Sequence, residues 1–358
     1  MTRWMRTKPV LLLVLVVTTG LGCGDDSGED ATGAEDGGGL VGAGPSGAGG
    51  AATSGTAGSS TSGTTGTGAS PNGSGGIASK YPGDVGIEND PEVILADDFE
   101  SYATAAELGN RWDLIYGGSD VSIATDPAHV FSGSKAVEFF VPQQDGEYGV
   151  STVKLLTEEL DVIHLRYYSR FQGPFDVIGS SHNGSTVSAH YFVDGQASPG
   201  VPADGYNKFL VALENWRGEA ATPSPGDLNA YVYHPEQRSE WGDHFFPTGF
   251  VMPYSPEPFD FGSDFVSHPD IVPGLDEYHC YEYRVEANTP GQRDGSITVW
   301  FDGELAADFG NLRLRDTDAL KIDLFMINFH IHNNPSGPAR KWYDNFVAAK
   351  SYIGPVAR

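Results

Sequence analysis

The chain reads as an all-β sandwich of two antiparallel sheets, carried behind a long N-terminal tether. Three observations predict this. Polar and apolar residues alternate with period two over many short stretches; Arg284, Glu286 and Asn288, for example, alternate with Val285 and Ala287. Between these stretches lie turn clusters such as Thr289-Pro290-Gly291 and Arg293-Asp294-Gly295, where Pro and Gly supply fixed or positive φ. No segment carries the 3.6-residue period of a long amphipathic helix, and no internal repeat is present. A sheet with one apolar face needs a second sheet to cover it, hence the sandwich.

The elements follow in order. Ile94 to Phe99 reads as a first strand, residues 104–110 as a helical turn before Trp112, and 121–125, 135–141 and 148–155 as strands. His164 to Phe171 alternates strongly, with His164, Arg166, Tyr168 and Arg170 on one face and Leu165, Tyr167, Ser169 and Phe171 on the other. A polar loop from Gly179 to Gly184 follows, then strands at 186–192 and 207–216 and a short one at Tyr231-Val232-Tyr233. Seven prolines punctuate residues 235–275, which reads as one long ordered loop over an end of the sandwich. Strands near 279–287 and 297–301 lead to the Asp302-Gly303 hairpin turn. Leu324 to His332 then places Leu324, Met326, Asn328, His330 and His332 on one face.

The N-terminal part has a different composition. Arg3, Arg6 and Lys8 precede the apolar run Val10 to Val17, which is too short to span a bilayer. Gly20-Leu21-Gly22-Cys23 ends it, so residues 1–23 read as a lipoprotein export signal with Cys23 as the lipidated N-terminus; a plain secretory signal is the alternative. Residues 24–80 are mostly Gly, Ser, Thr and Ala and cannot bury enough surface to offset their ordering entropy, so a flexible tether is expected there. Residues 81–358 form the folded domain, expected to be a monomer standing outside the cytoplasm, on the cell envelope and most simply on the outer membrane. The lipid anchor is the one membrane contact expected.

Charge narrows the partners. The chain carries −27 at pH 7, and residues 1–80 hold four basic and six acidic residues, which leaves −27 − (−2) = −25 for residues 81–358. A surface this acidic argues against nucleic acid. With Cys23 lipidated, Cys280 has no disulfide partner and reads as a small packed apolar residue.

One set of residues carries a resemblance. Asn288-Thr289-Pro290-Gly291, Asp294-Gly295, Val299-Trp300-Phe301-Asp302-Gly303 and Asn311-Leu312-Arg313-Leu314-Arg315 occur in an order that resembles the C-terminal half of the alginate-lyase-like polysaccharide lyases of family 14. Trp342-Tyr343-Asp344-Asn345-Phe346-Val347 is similar to that family's last strand. The resemblance implies a concanavalin A-like β-jelly roll with long loops. It also implies β-elimination on an acidic, uronate-containing polysaccharide, with no cofactor required. Asn215-Trp216-Arg217 and Asn229-Ala230-Tyr231-Val232-Tyr233 are similar to the family's Trp-Arg segment and Tyr-x-Tyr strand, so Tyr231 and Tyr233 carry over as candidate base and acid. Two positions depart from the pattern. The Gly179 to Gly184 loop has His182 and lacks the family's Lys, and Leu213 stands where the family has Arg, between Ala212 and Glu214. His182 is the candidate substitute cation.

The polar strand faces fit the same chemistry. β-Elimination needs the uronate carboxyl neutralised, a base for the adjacent C–H and an acid for the leaving oxygen. Arg166, Tyr168, Arg170, His190, Trp216, Arg217, Asn328, His330 and His332 are the candidate substrate-binding residues; a solvated sheet face is the plain alternative. No Glu-x-Asp-x-x-Glu run, serine elbow or His-Glu-x-x-His motif is present. His330 and His332 lack an evident third zinc ligand. Asp98, Glu100 and Asp344 are placed for a structural Ca²⁺ between the first and last strands, or are ordinary surface acids. A non-catalytic carbohydrate-binding lipoprotein, with Trp216, Trp241 and Tyr254 as stacking faces, is the second reading of the same fold.

Overall fold

A computed structural model describes residues 75–179, 181–193, 200–253 and 258–358. The expected signal, Cys23, most of the tether, and Tyr254 lie outside the described residues. Seventeen strands are present among the described residues. In chain order they are β1 (Val93–Asp97), β2 (Leu114–Tyr116), β3 (Val121–Ala124), β4 (Ala136–Val141), β5 (Tyr148–Leu160) and β6 (Val162–Phe171). Next come β7 (Ser181–His182), β8 (Ser185–Ala189), β9 (Phe209–Trp216), β10 (Asp227–Tyr233), β11 (Asp243–Phe245) and β12 (Val251–Met252). The last are β13 (His279–Glu286), β14 (Gly295–Phe301), β15 (Glu304–Leu312), β16 (Ile322–Ile331) and β17 (Ala339–Ala349). Helical structure among the described residues is limited to short 3-10 turns, including Ala105–Asn110, where the sequence predicts one.

The strands form two antiparallel sheets, and the fold is an all-β jelly-roll sandwich. The first runs β15-β14-β13-β6-β17-β4-β3, with β1 also on β17. The second runs β12-β11-β10-β9-β8-β16-β5-β2, with β7 also on β16. Period-two alternation decides what lies between them. Leu165, Tyr167 and Phe171 of β6 and Tyr281, Tyr283 and Val285 of β13 meet Val187, Val211, Leu213, Phe325, Ile327 and Phe329 of the second sheet in one buried core. Tyr167 and Tyr281 stack with centroids 5.2 Å apart. The Asp302-Gly303 turn has φ of 50° and 85°, as a two-residue hairpin with a primed turn requires.

Two expectations are corrected. Residues 235–275 are not wholly loop: β11 and β12 lie there and extend the second sheet beyond β10. Strands of three and two residues are too short to show a period in sequence. The fold also begins before residue 81, because Ile77 and Ala78 are buried against Val347, Ala349 and Ile353.

This N-terminal segment covers the outer face of the first sheet, and that decides the fate of Arg166. The side chain is fully buried, and Nη2 donates to Asp84 Oδ2 at 2.5 Å. Asn345, at a bulge in β17 with φ 44°, donates to the same oxygen at 3.2 Å. A buried guanidinium left without its carboxylate costs several kcal/mol. Asp84→Ala is therefore expected to lower stability by about 3–5 kcal/mol, read as a lower urea midpoint at unchanged slope.

Candidate active site

The outer face of the second sheet gathers the titratable side chains. His182 on β7, Glu214 on β9, Tyr231 and Tyr233 on β10, His244 on β11 and His330 on β16 share that face, because each alternates with residues of the core. Neighbouring strands bring them together: His330 pairs with His182 in register, Asn229 with Glu214, and Tyr231 with His244. The Tyr231 ring centroid lies 5.1 Å from that of His182 and 4.7 Å from that of His244.

The β7–β8 turn holds His182 in place. The Asn183 side chain accepts from Asn215 N at 2.9 Å and donates to Asn215 O at 2.7 Å. Asn328 Nδ2 donates to His182 O at 2.9 Å. Gly184 packs so tightly that a Cβ there would lie 1.9 Å from Leu213 O.

Glu214 is the electrostatic centre. Its carboxylate is fully buried, with Oε2 2.9 Å from His182 Nδ1 and Oε1 3.8 Å from His244 Nδ1. Burial pulls the His182 imidazolium down, but the Glu214 carboxylate outweighs it and holds the proton above the ordinary histidine value. Burial raises the Glu214 carboxyl, against the pull of His182 and Lys341. The pair therefore retains one proton and no net charge over a wide pH range. Burial and the neighbouring His182 charge pull His244 down to about 3 and His330 to about 4, so both are neutral. His244 Nδ1 lies 2.9 Å from Asn229 Oδ1, an acceptor, which leaves the lone pair on Nε2.

The tyrosines are phenols. Burial raises Tyr231, Tyr233 and Tyr191 well above the ordinary value. The Tyr231 and Tyr233 hydroxyls are 3.5 Å apart, and Gly242 N donates to Tyr231 at 3.1 Å. Lys208 packs its ammonium 4.6 Å from the Tyr191 ring centroid and 4.8 Å from that of Tyr233, and burial lowers it to about 8.

Of the residues singled out in the sequence, the fold brings together Tyr231, Tyr233, His182, Asn328 and His330, with Trp216 beside His244 at 5.3 Å. It separates the others. Arg166, Tyr168 and Arg170 belong to the first sheet and point away from the second. Arg166 pairs with Asp84, Tyr168 stacks on Phe131 and accepts from Val356 N, and Arg170 pairs with Asp276 over the Trp342 ring. Two strands with the same alternation can lie in different sheets, and period alone does not say which. Arg217 is bound to its own loop through Thr222 O and Ala220 O and to Asp176. His190 follows β8, 3.8 Å from Glu159, and His332 lies past β16, 3.2 Å from Glu147. The Trp241 carbonyl accepts from Gln237 and Ser239.

The proposed calcium ligands are occupied by hydrogen-bond donors of the chain. Glu100 accepts from Ser134 N, Ser134 Oγ and Lys135 N. Asp344 accepts from Phe131 N, Ser132 N and Asn345 N, while burial raises it to about 7. Asp98 accepts from Glu100 N at an exposed position. No cluster of three His, Cys, Asp or Glu side chains suited to a metal is present among the described residues.

Sequence reading missed Glu214, His244, Asn229 and Lys208 as members of the site. Lys208 and Glu214 were within reach: they share a face of β9 and its approach with Trp216. His244 lies on a three-residue strand and had no such signal.

Comparison with solved structures agrees with this architecture. Alginate lyase Aly36B, as a mutant in complex with an alginate trisaccharide, matches at 19% identity and a TM-score of 0.53, over 73% of this chain and 98% of that one. The same enzyme without mutation matches at 18% and 0.52, over 73% and 98%. The marine alginate lyase of Aplysia kurodai matches at 16% and 0.48, over 74% and 99%. The two Aly36B matches show the fold, an alginate-lyase-like jelly roll. No family model matches the chain, and no curated protein does.

The electrostatics are checked by histidine NMR. His182 is expected to titrate above the ordinary histidine range and to move down in Glu214→Gln, since removing the anion removes what holds the proton; His244 and His330 stay neutral above pH 5. Gly184→Ala, by displacing the turn from Leu213 O, is expected to disturb the His182 resonances while the core signals persist.

Proposed function

We propose that the protein is a polysaccharide lyase that cleaves a uronate-containing glycan by β-elimination on the outer face of the second sheet. The observation that carries this reading is the proximity of the Tyr231 ring both to the protonated His182–Glu214 pair and to the neutral imidazole of His244. These are the three functions the reaction needs. The fold shared with an alginate lyase supports it.

Each role follows from protonation state. His182 gives Nδ1–H to Glu214, so Nε2–H is the donor that polarises the C6 carbonyl of the uronate. His244 Nε2 takes the C5 proton. Tyr231 enters as a phenol and gives its proton to the O4 leaving oxygen, with Tyr233 the partner hydroxyl that receives or returns a proton. Asn328 positions His182 through its backbone. Trp216 supplies an aromatic face for a sugar ring. The lipid anchor at Cys23 and an envelope location complete the proposal: the tether presents the lyase to polymer outside the cytoplasm.

The test is the appearance of ultraviolet-absorbing unsaturated uronate ends from alginate or glucuronan. Tyr231→Phe and His244→Gln are each expected to lower kcat by about 10²–10⁴-fold with little change in thermal stability. Glycan binding without unsaturated product on any uronate polymer would refute the lyase reading and favour the carbohydrate-binding one.

A further inference from the structure

We infer that the turn joining β11 and β12 is an aromatic platform, with Phe250 as its exposed face, that stacks a sugar ring of the same uronate polymer beyond the reacting residue. The inference rests on the lyase reading above and adds a subsite to it.

Alternation places the platform on the open side of the second sheet. Phe245 and Val251 point into the core, so their neighbours Phe246 and Phe250 point out, as His244 does. The rings continue outward from the site. Centroids lie 4.7 Å apart for Tyr231 and His244, 5.3 Å for His244 and Trp216, 6.4 Å for His244 and Phe246, and 5.7 Å for Phe246 and Phe250. Met252 pairs with His244 in register and extends the same face. Phe246 is buried and backs the row, whereas Phe250 is 45% exposed. β12 stands two strands from β10, about 10 Å at the usual spacing. A sugar ring held at Tyr231 does not reach that far, and the next rings of a polymer do.

The turn is built to hold its shape. Gly249 has φ 88°, and a Cβ there would lie 2.7 Å from the Phe265 ring, so the backbone passes directly over that ring. Phe265 in turn packs on Phe261 and Phe309 of the core. Ser267 Oγ donates to Thr248 O at 2.9 Å, and His268 N donates to Pro247 O at 3.0 Å. Within the turn, Phe246 N donates to Phe250 O and Gly249 N to Phe246 O. All of these ties except the one to Phe309 lie within the proline-rich segment 235–275, and together they fix a large apolar side chain in water. Leaving such a side chain exposed forgoes the free energy of burying it. A ring fixed beforehand loses little freedom when a ligand covers it.

Charge explains why a ring suits this position. Residues 81–358 carry −25, so long-range electrostatics oppose an anionic polymer. Asp227 pairs in register with Trp216, and Asp270 lies close enough to raise its carboxyl further. Contact between the C–H face of a sugar and an aromatic ring needs no net charge and is not screened by salt. Such contacts let a longer chain gain affinity although each added carboxylate is repelled.

The experiment measures kcat/KM of the full chain on trisaccharides and hexasaccharides of alginate and glucuronan, by unsaturated-product absorbance. The hexasaccharide-to-trisaccharide ratio is expected to fall about fivefold or more in Phe250→Ala and to be kept in Phe250→Trp. The fall is expected to be the same at low and high salt, as for an uncharged contact. Calorimetric binding of the same oligosaccharides to Tyr231→Phe, with and without Phe250→Ala, reads the length dependence without turnover. A ratio unmoved in folded Phe250→Ala, or moved at low salt alone, overturns the inference and leaves the lyase reading intact. A length-dependent affinity lost in Phe250→Ala, with no product from any oligosaccharide, supports the platform and refutes the lyase reading instead. Failure of every uronate oligosaccharide to bind overturns both.

Discussion

The site depends on a buried polar connection between the two sheets. Lys341 on β17 donates its ammonium to Asn183 O, and Tyr343 on the same strand donates to Asn328 O at 2.7 Å. Both donors come from the first sheet and cross the core to reach the second. A lysine surrounded by the rings of Phe171, Tyr281 and Tyr343 is costly to bury, and burial pushes it far below its ordinary value. Asn183 O repays that cost locally, because the carbonyl at the β7–β8 turn would otherwise face an apolar interior. The consequence is a fixed turn: Asn183 cannot leave without orphaning Lys341 and the Asn215 backbone together.

From that fixed turn the rest of the site follows. Asn183 paired with Asn215 places His182 beside Glu214, and the sheet register places Asn229, Tyr231 and His244 on the other side of the same carboxylate. One buried acid then organises three imidazoles by charge. It keeps a proton on the nearest, while burial, with the His182 charge second, keeps the other two neutral. Two chemically identical imidazoles thus differ in protonation by their distance from Glu214, 2.9 Å for His182 and 3.8 Å for His244.

The opposite face of the molecule shows the same residue types in a structural role. Arg166, Tyr168 and Arg170 have the appearance of a binding set in sequence, yet the N-terminal segment and the C-terminal residues near Val356 cover them. There an Arg–Asp pair, a tyrosine stacked on Phe131 and an Arg over Trp342 tie the terminal segments to the sheet. Which sheet face stays open is decided by where the termini pack.

Local pattern was sufficient for most of the longer strands, though not for β15 (Glu304–Leu312), and for the primed turn at Asp302-Gly303 and the sandwich. Each depends on period-two alternation or on a φ that only a few residues adopt, and both are properties of adjacent residues. The tertiary structure alone decided which sheet each alternating strand joins, and so placed Arg166 and Arg170 opposite to His182. It alone found β11 and β12, which are too short to show a period, and with β11 the imidazole of His244. It alone turned Glu214 from one more acid among many into the partner of His182, because that contact joins residues 32 positions apart. Burial, charge coupling and sheet order are sums over distant parts of the chain, and no window of sequence contains them.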